Sequence, residues 1–306
     1  MDLSLVKVFL TAELLTNVGD QFILFSMREQ FQEIFRRLSG CPFQNCCHCS
    51  VKSDCAYFRA FSQDLSSDVE AVRKHQKPPL PFVFDMPILP PAPNRGITFE
   101  IGLTLVGNAI NDCSVYLRAM QRMLEQLEPH PSIKAASINK VETAGYRGER
   151  YPVLSVSASE GHLDNLQVMS LKGLVANVIF PESPLRLTLL TPLRIVRKGT
   201  ISRYLDASMF LRSLLRRISS LTYYYGGVQL NYDFRWLADQ SAQVSWLKSD
   251  FKWRGWNRNV SGLVGSGLLV GDFYDLYPFL TAGEYLHLGK GASFGFGAYR
   301  LGKTTS

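Results

Sequence analysis

Residues 4–13, SLVKVFLTAE, set Leu5, Val6, Val8 and Leu10 among polar neighbours and predict a strand packed on at least one face. The period then changes. Phe31, Ile34, Phe35 and Leu38 recur at i, i+3, i+4 and i+7, Ser26 and Glu29 form a candidate capping box, and Gly40 stands where a left-handed C-terminal residue belongs. A helix is therefore predicted over Met27–Ser39. ITFEIGLTLVG, from Ile97, alternates Ile97, Phe99, Ile101, Leu103 and Leu105 with polar or small residues and predicts the clearest strand of the chain. Asp112 can cap a second helix with Leu117, Met120, Leu124 and Leu127 on one face, ended by Pro129 and Pro131. Between the two helices runs KPPLPFVFDMPILPPAPNRG. Its seven prolines remove backbone donors and fix φ, so it is expected as an extended surface connector, not a helix or central strand. Short strands are predicted in KAASINKVET and PVLSVSAS.

The second half repeats this order. LRLTLLTPLRIV reads as a strand with a proline interruption, and Phe210, Leu211, Leu214, Leu215, Ile218 and Leu221 make one apolar helix face. A helix around Tyr232–Val244, strands in SDFKWRGWNR and GLVGSGLLVGDF, a helix over Tyr274–Leu280 and a last strand in FGFGAYRL complete it. The expectation is an α+β chain with two tandem ferredoxin-like (βαββαβ, RRM-like) domains, provided one weaker N-terminal strand is hidden. They are placed at 1–165, with a cysteine-rich insertion and the proline-rich connector, and at 166–306, with a C-terminal glycine-rich loop.

Composition narrows the class. A chain of 306 residues with 46% apolar content can fill two cores of ordinary size. No run approaches the roughly 20 apolar residues of a membrane span, and MDLSLVKVFL lacks a basic n-region before a long apolar stretch, so a soluble cytoplasmic protein with no membrane partner is expected. The net charge of +7 is modest but uneven. Arg186, Arg194, Arg197, Lys198, Arg203, Arg212, Arg216 and Arg217 are opposed only by Asp206, a pattern that suits a polyanion.

The glycines of GEYLHLGKGASFGFGAYRL raise a nucleotide-binding question. A dinucleotide fingerprint needs a helix directly after the glycines and an acidic residue beyond it, and only nine residues follow Gly297 here. Lys290 is not placed as GK[ST] at a helix start, which argues against a phosphate-binding Walker loop. Two readings are left: a glycine-rich turn into the last strand, and a loop that brings backbone and Lys290 to a phosphate.

The series H-x-G-K-G-x-x-F-G-F-G-x-Y over His287–Tyr299, preceded by SDFKWRGWNR and GLVGSGLLVGDF, resembles the CRISPR precursor-RNA-processing endoribonucleases, the sixth Cas family of the RAMP superfamily. LTLLTPLRIVRKGTI with FLRSLLRRISSL, and CPFQNCCHCSVKSDCAYFRAF with its connector, are similar to the same family. The resemblance implies two ferredoxin-like domains and cleavage of CRISPR repeat RNA without a catalytic cofactor. The nucleophile would be the RNA's own 2′-hydroxyl, leaving a 2′,3′-cyclic phosphate and a 5′-hydroxyl. It also implies retention of the crRNA and contact with other Cas proteins of an effector complex. A non-catalytic crRNA-binding subunit on the same fold is the alternative.

Such chemistry needs a base, an acid and cations on the phosphorane, and histidine suits proton transfer at neutral pH. His287 borders the glycine run with Lys290 three residues on; His48 lies in the cysteine loop and His75 beside the connector. The first helix, where much of the family carries its histidine, has none. Gly289, Gly291, Gly295 and Gly297, Arg194, Arg197 and Lys198, Arg212, Arg216 and Arg217, and Arg254 and Arg258 beside Trp253 and Trp256 are the expected RNA contacts. Cys41, Cys46, Cys49 and Cys55 offer four thiolates at spacings suited to a structural Zn²⁺, with Cys47 or His48 as substitutes.

Overall fold

The alternation of the first segment is realised as β1 (Ser4–Leu14), whose Val6, Val8, Leu10, Ala12 and Leu14 are all buried. This computed structural model describes residues 2–14, 20–26, 28–41, 46, 49–75, 77–90, 97–126, 136–155, 163–177, 180, 183–226 and 233–302. After β1 come α1 (Arg28–Leu38), β2 (Phe82–Asp85), β3 (Ile97–Val106), α2 (Cys113–Glu125), β4 (Ala136–Ala144) and β5 (Arg150–Pro152). Their sheet runs β2-β3-β1-β4-β5, with every ladder antiparallel. The first four strands and two helices make the βαββαβ order of a ferredoxin-like unit.

The missing strand lies inside the proline-rich segment. Phe82, Val83 and Phe84 are fully buried in β2, against an expectation of a surface connector. The prolines permit this because β2 is an edge strand and Pro81 and Pro87 flank it. Phe31, Phe35, Phe61, Phe82, Phe84 and Tyr116 form one aromatic cluster, with Phe31 and Phe84 edge to face at 5.0 Å. Gly40 adopts φ 62° after α1 as its position predicts. Two expected caps are used otherwise. The Ser26 hydroxyl donates back to the Ile23 carbonyl at 2.6 Å, and Asp112 spends its carboxylate on Arg59, at 2.9 and 2.6 Å.

Residues Ser4–Ser67 and Leu80–Met169 form one unit, and Met1–Leu3, Asp68–Pro79 and Ser170–Ser306 the other. In the second, β6 (Leu185–Leu193), α3 (Ala207–Tyr225), β7 (Ser245–Ser249), β8 (Lys252–Gly255), β9 (Ser261–Val270), α4 (Tyr277–Leu286) and β10 (Tyr299–Gly302) repeat the pattern. The sheet order is β7-β9-β6-β10, with β8 also pairing with β9, so SDFKWRGWNR and its approach supply two short strands in place of one. The helix expected to Val244 ends at Gln240. The helix expected over Tyr274–Leu280 begins at Tyr277, with Pro278 in its first turn, and continues to Leu286. It runs through Gly283 because that glycine is a packing position: a Cβ there would lie 2.1 Å from the Tyr299 hydroxyl and 2.6 Å from Leu214. Leu127, Pro129, Pro131, Tyr232, Cys47 and His48 lie outside the described residues. No helix among the described residues is long and apolar enough to cross a membrane.

Candidate nucleic-acid interface

The glycine segment of the C-terminal unit is shaped by its own backbone. Gly289, Gly291, Gly295 and Gly297 all have positive φ, between 68° and 90°. At two of them a side chain would collide with main chain: a Cβ on Gly289 would sit 2.4 Å from the Arg194 carbonyl, and one on Gly297 2.0 Å from the Leu288 carbonyl. These turns delay the last strand to Tyr299, with a short 3₁₀ turn at Ala292–Phe294 before it.

The end of β6 clasps this segment. The Thr191 hydroxyl donates to the Gly295 carbonyl at 2.7 Å and accepts from the Ala298 amide at 2.9 Å. The Gly297 amide donates to the Pro192 carbonyl at 3.1 Å, and the Lys290 amide to the Arg194 carbonyl at 2.7 Å. Arg194 itself is 9% exposed: its guanidinium stacks on Phe296 at 3.9 Å and donates to the Asn259 carbonyl at 3.0 Å. Arg217 performs a similar task for α4, its Nε donating to the Leu286 carbonyl at 2.7 Å, and burial pushes its guanidinium down to about 10. Both arginines therefore brace the segment from inside. Gly295 and Gly297 are buried, while Gly289 and Gly291 are half-buried on either side of an exposed Lys290.

His287 is 1% exposed at the C-terminal cap of α4, with φ 52° and its amide donating to the Gly283 carbonyl at 2.8 Å. His75 is half-buried on the short helix Val69–His75 and stacks on Tyr223 of α3 at 4.6 Å.

Other sequence-selected cations face solvent. Arg197, Lys198, Arg212, Arg216, Arg254 and Arg258 are all exposed. Three of them converge: Arg197, Arg212 and Arg216 line a groove of about 200 Å³ with Asp206 and Met209 between the N-terminal part of α3 and the hairpin Val196–Ile201. Arg212 is held in position by donating to Ser241 Oγ at 3.2 Å and the Ala238 carbonyl at 3.0 Å. Asp206 is occupied as the α3 cap, accepting from the Met209 amide at 3.0 Å. The main chain of Lys290 is bonded to Arg194, one residue before the groove wall at Ile195. Arg254 and Arg258, on β8 and in the turn after it, do not line the groove.

Sequence reasoning missed Tyr204. It is 59% exposed and its hydroxyl accepts from Arg197 at 3.0 Å, yet an isolated tyrosine between two strands and a helix carries no periodic signal. Cys41, Cys46, Cys49 and Cys55 are half-buried thiols, none of them in a disulfide. Among the described residues no three His, Cys, Asp or Glu side chains group as metal ligands, so as placed these four do not form a tetrahedral centre.

Residues 187–299 match a family model described as CRISPR-associated endoribonuclease Cas6, and residues 25–158 match a second model described as an N-terminal domain. A comparison with curated proteins returned no match. Among solved structures, a Cas6 product complex superposes with a TM-score of 0.55 at 14% identity, covering 98% of this chain and 100% of that one. A Cas6 of Thermus thermophilus gives 0.53 at 14% identity, over 98% of this chain and 99% of that one. A partial Cas6-RT-Cas1–Cas2 complex gives 0.58 at 12% identity, over 99% of this chain and 47% of that one, so this chain spans about half its length. At these identities the structural likeness speaks to the fold.

Proposed function

We propose that the chain acts as a Cas6-type CRISPR-associated endoribonuclease, the family whose model its residues 187–299 match, and that it cuts the repeat sequence of a CRISPR transcript without a catalytic metal. The attacking group is the RNA's own 2′-hydroxyl, so the products carry a 2′,3′-cyclic phosphate and a 5′-hydroxyl, and the protein keeps hold of the cut RNA. The observation that carries this reading is the braced glycine segment: it presents exposed Lys290 beside the groove of Arg197, Arg212 and Arg216. An ammonium on a held backbone and guanidinium groups are suited to the charge that builds on a phosphorane and to the flanking phosphates.

Proton transfer is assigned to histidine, with His287 and His48 as the two candidates. His287 is enclosed at the turn after α4, so a catalytic role for it requires its ring to become exposed when RNA binds. Repeat RNA and other Cas proteins are the partners in this reading, in keeping with relatives solved as a product complex, a substrate mimic complex and a Cas6-RT-Cas1–Cas2 assembly. A zinc ion on Cys41, Cys46, Cys49 and Cys55 would have a structural role, and binding it would require the four thiols to draw together from where they stand.

The test is incubation with a repeat transcript in EDTA. A single site-specific cut is expected, abolished by 2′-deoxy substitution at the cut nucleotide; no cut in EDTA, or cutting of the 2′-deoxy substrate, ends the proposal. Within that assay His287→Ala and His48→Ala separate the two histidines, the acid–base group being the one whose loss lowers the rate far more than RNA affinity.

A further inference from the structure

The hairpin beside the groove is built to hold one exposed ring still. Lys198 and Gly199 both have positive φ, 49° and 79°, which closes Val196–Arg197 onto Thr200–Ile201 with a tight two-residue turn. The chain leaving the hairpin is tied back at once: the Ser202 amide donates to the Ile195 carbonyl at 2.9 Å, and the Ser202 hydroxyl to the Tyr204 carbonyl at 2.8 Å. The next residue is also pinned, since Trp246 Nε1 donates to the Leu205 carbonyl at 3.1 Å. Between these ties stands Tyr204, 59% exposed, its hydroxyl bonded to the groove-lining Arg197. A large ring left in water on a rigid backbone contributes little to the core. It does offer a flat face at low entropic cost to whatever lands there.

The groove limits what that can be. Its volume of about 200 Å³ and three guanidinium groups suit a sugar-phosphate unit, whereas paired strands cannot enter it. A base attached to a phosphate in the groove would emerge at its rim, where Arg197 and Tyr204 are joined. Unpaired bases are bound in this way, by stacking on aromatic rings while guanidinium groups take the backbone.

We infer that Tyr204 is a base-stacking residue for an unpaired ribonucleotide whose phosphate lies in the groove of Arg197, Arg212 and Arg216. The inference rests on the reading that the protein acts on RNA, and it adds that the strand beside α3 is single. Sequence preference at this nucleotide is weak, because every base has a face to stack.

The probe is a fluorescein-labelled, unstructured octaribonucleotide, titrated with Tyr204→Ala, Tyr204→Phe and the wild type, in parallel with a blunt RNA duplex. Tyr204→Ala is expected to weaken octamer binding by roughly 5- to 100-fold, the range of a lost stacked base, and to leave duplex binding unchanged. Tyr204→Phe keeps the ring and should lose no more than about 3-fold. An abasic octamer, with phosphates but no bases, should bind both proteins alike. Equal octamer affinity of Tyr204→Ala and wild type, or an equal loss on the abasic strand or duplex, overturns the inference. Cleavage is scored separately: a protein that cuts no repeat but shows the Tyr204 pattern refutes the enzyme reading and keeps the stacking site. One that cuts while Tyr204→Ala is neutral does the reverse.

Discussion

Gly297→Ala and Gly199→Ala place the same methyl group on two residues of similar backbone conformation, at φ 68° and 79°. At Gly199 nothing lies within 4 Å of the added carbon, so the cost is that of a left-handed L-residue, about 1–2 kcal/mol, partly offset by the stiffer unfolded chain. At Gly297 the carbon would lie 2.0 Å from the Leu288 carbonyl oxygen and 3.1 Å from Leu193 Cδ1. An oxygen and a carbon do not approach so closely, and the obstacle is backbone at the turn out of α4, so the segment must move by more than about 1 Å. That movement strains the Gly297–Pro192 bond and the two bonds of Thr191, each worth about 1 kcal/mol. The expected loss is about 3–5 kcal/mol at Gly297 against about 1 kcal/mol at Gly199. All four tryptophans, Trp236, Trp246, Trp253 and Trp256, belong to the C-terminal unit, so their fluorescence during urea unfolding reports on it alone. With a slope of about 2 kcal/mol per molar urea, the midpoint falls by about 2 M for Gly297→Ala and by about 0.5 M for Gly199→Ala. Equal shifts for the two variants would refute the account of the glycine segment as a sterically required turn.

Two further outcomes follow from buried charge. Glu284 of α4 has its carboxyl pushed above the ordinary value of 4.5, chiefly by burial and against the opposing effects of its bond from the Leu301 amide and of nearby Arg300. The folded state therefore holds this proton more tightly than the unfolded one, and the stabilisation is complete below about pH 4.5 and lost as pH rises through the raised value. Glu284→Gln keeps an acceptor for Leu301 without the charge, so it should raise the urea midpoint at pH 7 and narrow its advantage over wild type on acidification; a difference independent of pH would contradict this. In the N-terminal unit, Asp112→Ala removes bonds of 2.6 and 2.9 Å from Arg59 and leaves it the bond to the Ser53 carbonyl at 2.9 Å. Because the Arg59 side chain is 28% exposed and water reaches it, the cost is about 2 kcal/mol, below that of a fully buried pair, and the far-UV circular dichroism melt should fall by several degrees. An unchanged melt would show that the pair contributes nothing.

The fold was legible wherever one period ran long enough to dominate. β1, β3, α1, α2 and α3 each carry an apolar stripe over ten or more residues, and each forms close to its expected bounds. The N-terminal edge strand was hidden because FVFD is four residues among prolines, where local chemistry argues against a strand and only burial against β3 favours it. α4 was cut short in the sequence reading for the opposite reason. Gly283 looks like the start of the glycine run, but its missing side chain makes room for Tyr299 inside the helix.

The basic residues show what a charge pattern leaves open. Arg212 and Arg216 are four apart on α3 and share the solvent face, as helical spacing requires. Arg217 lies three residues after Leu214 and four before Leu221, at the margin of the apolar stripe, and its guanidinium turns inward to the Leu286 carbonyl. That signal is present in the spacing, yet it cannot be told from a solvated arginine without knowing that an orphan carbonyl ends α4 nearby. Arg194 gives no such signal, since it lies just past the end of β6, where only the folded glycine segment covers it. Arginine content thus marks the surface that suits a polyanion but divides into two jobs, gripping from outside and bracing from within. The second is visible only when the carbonyls each guanidinium meets are in place. A salt-dependence measurement on RNA binding separates them: loss of Arg216 should flatten the slope, whereas loss of Arg194 should lower stability first.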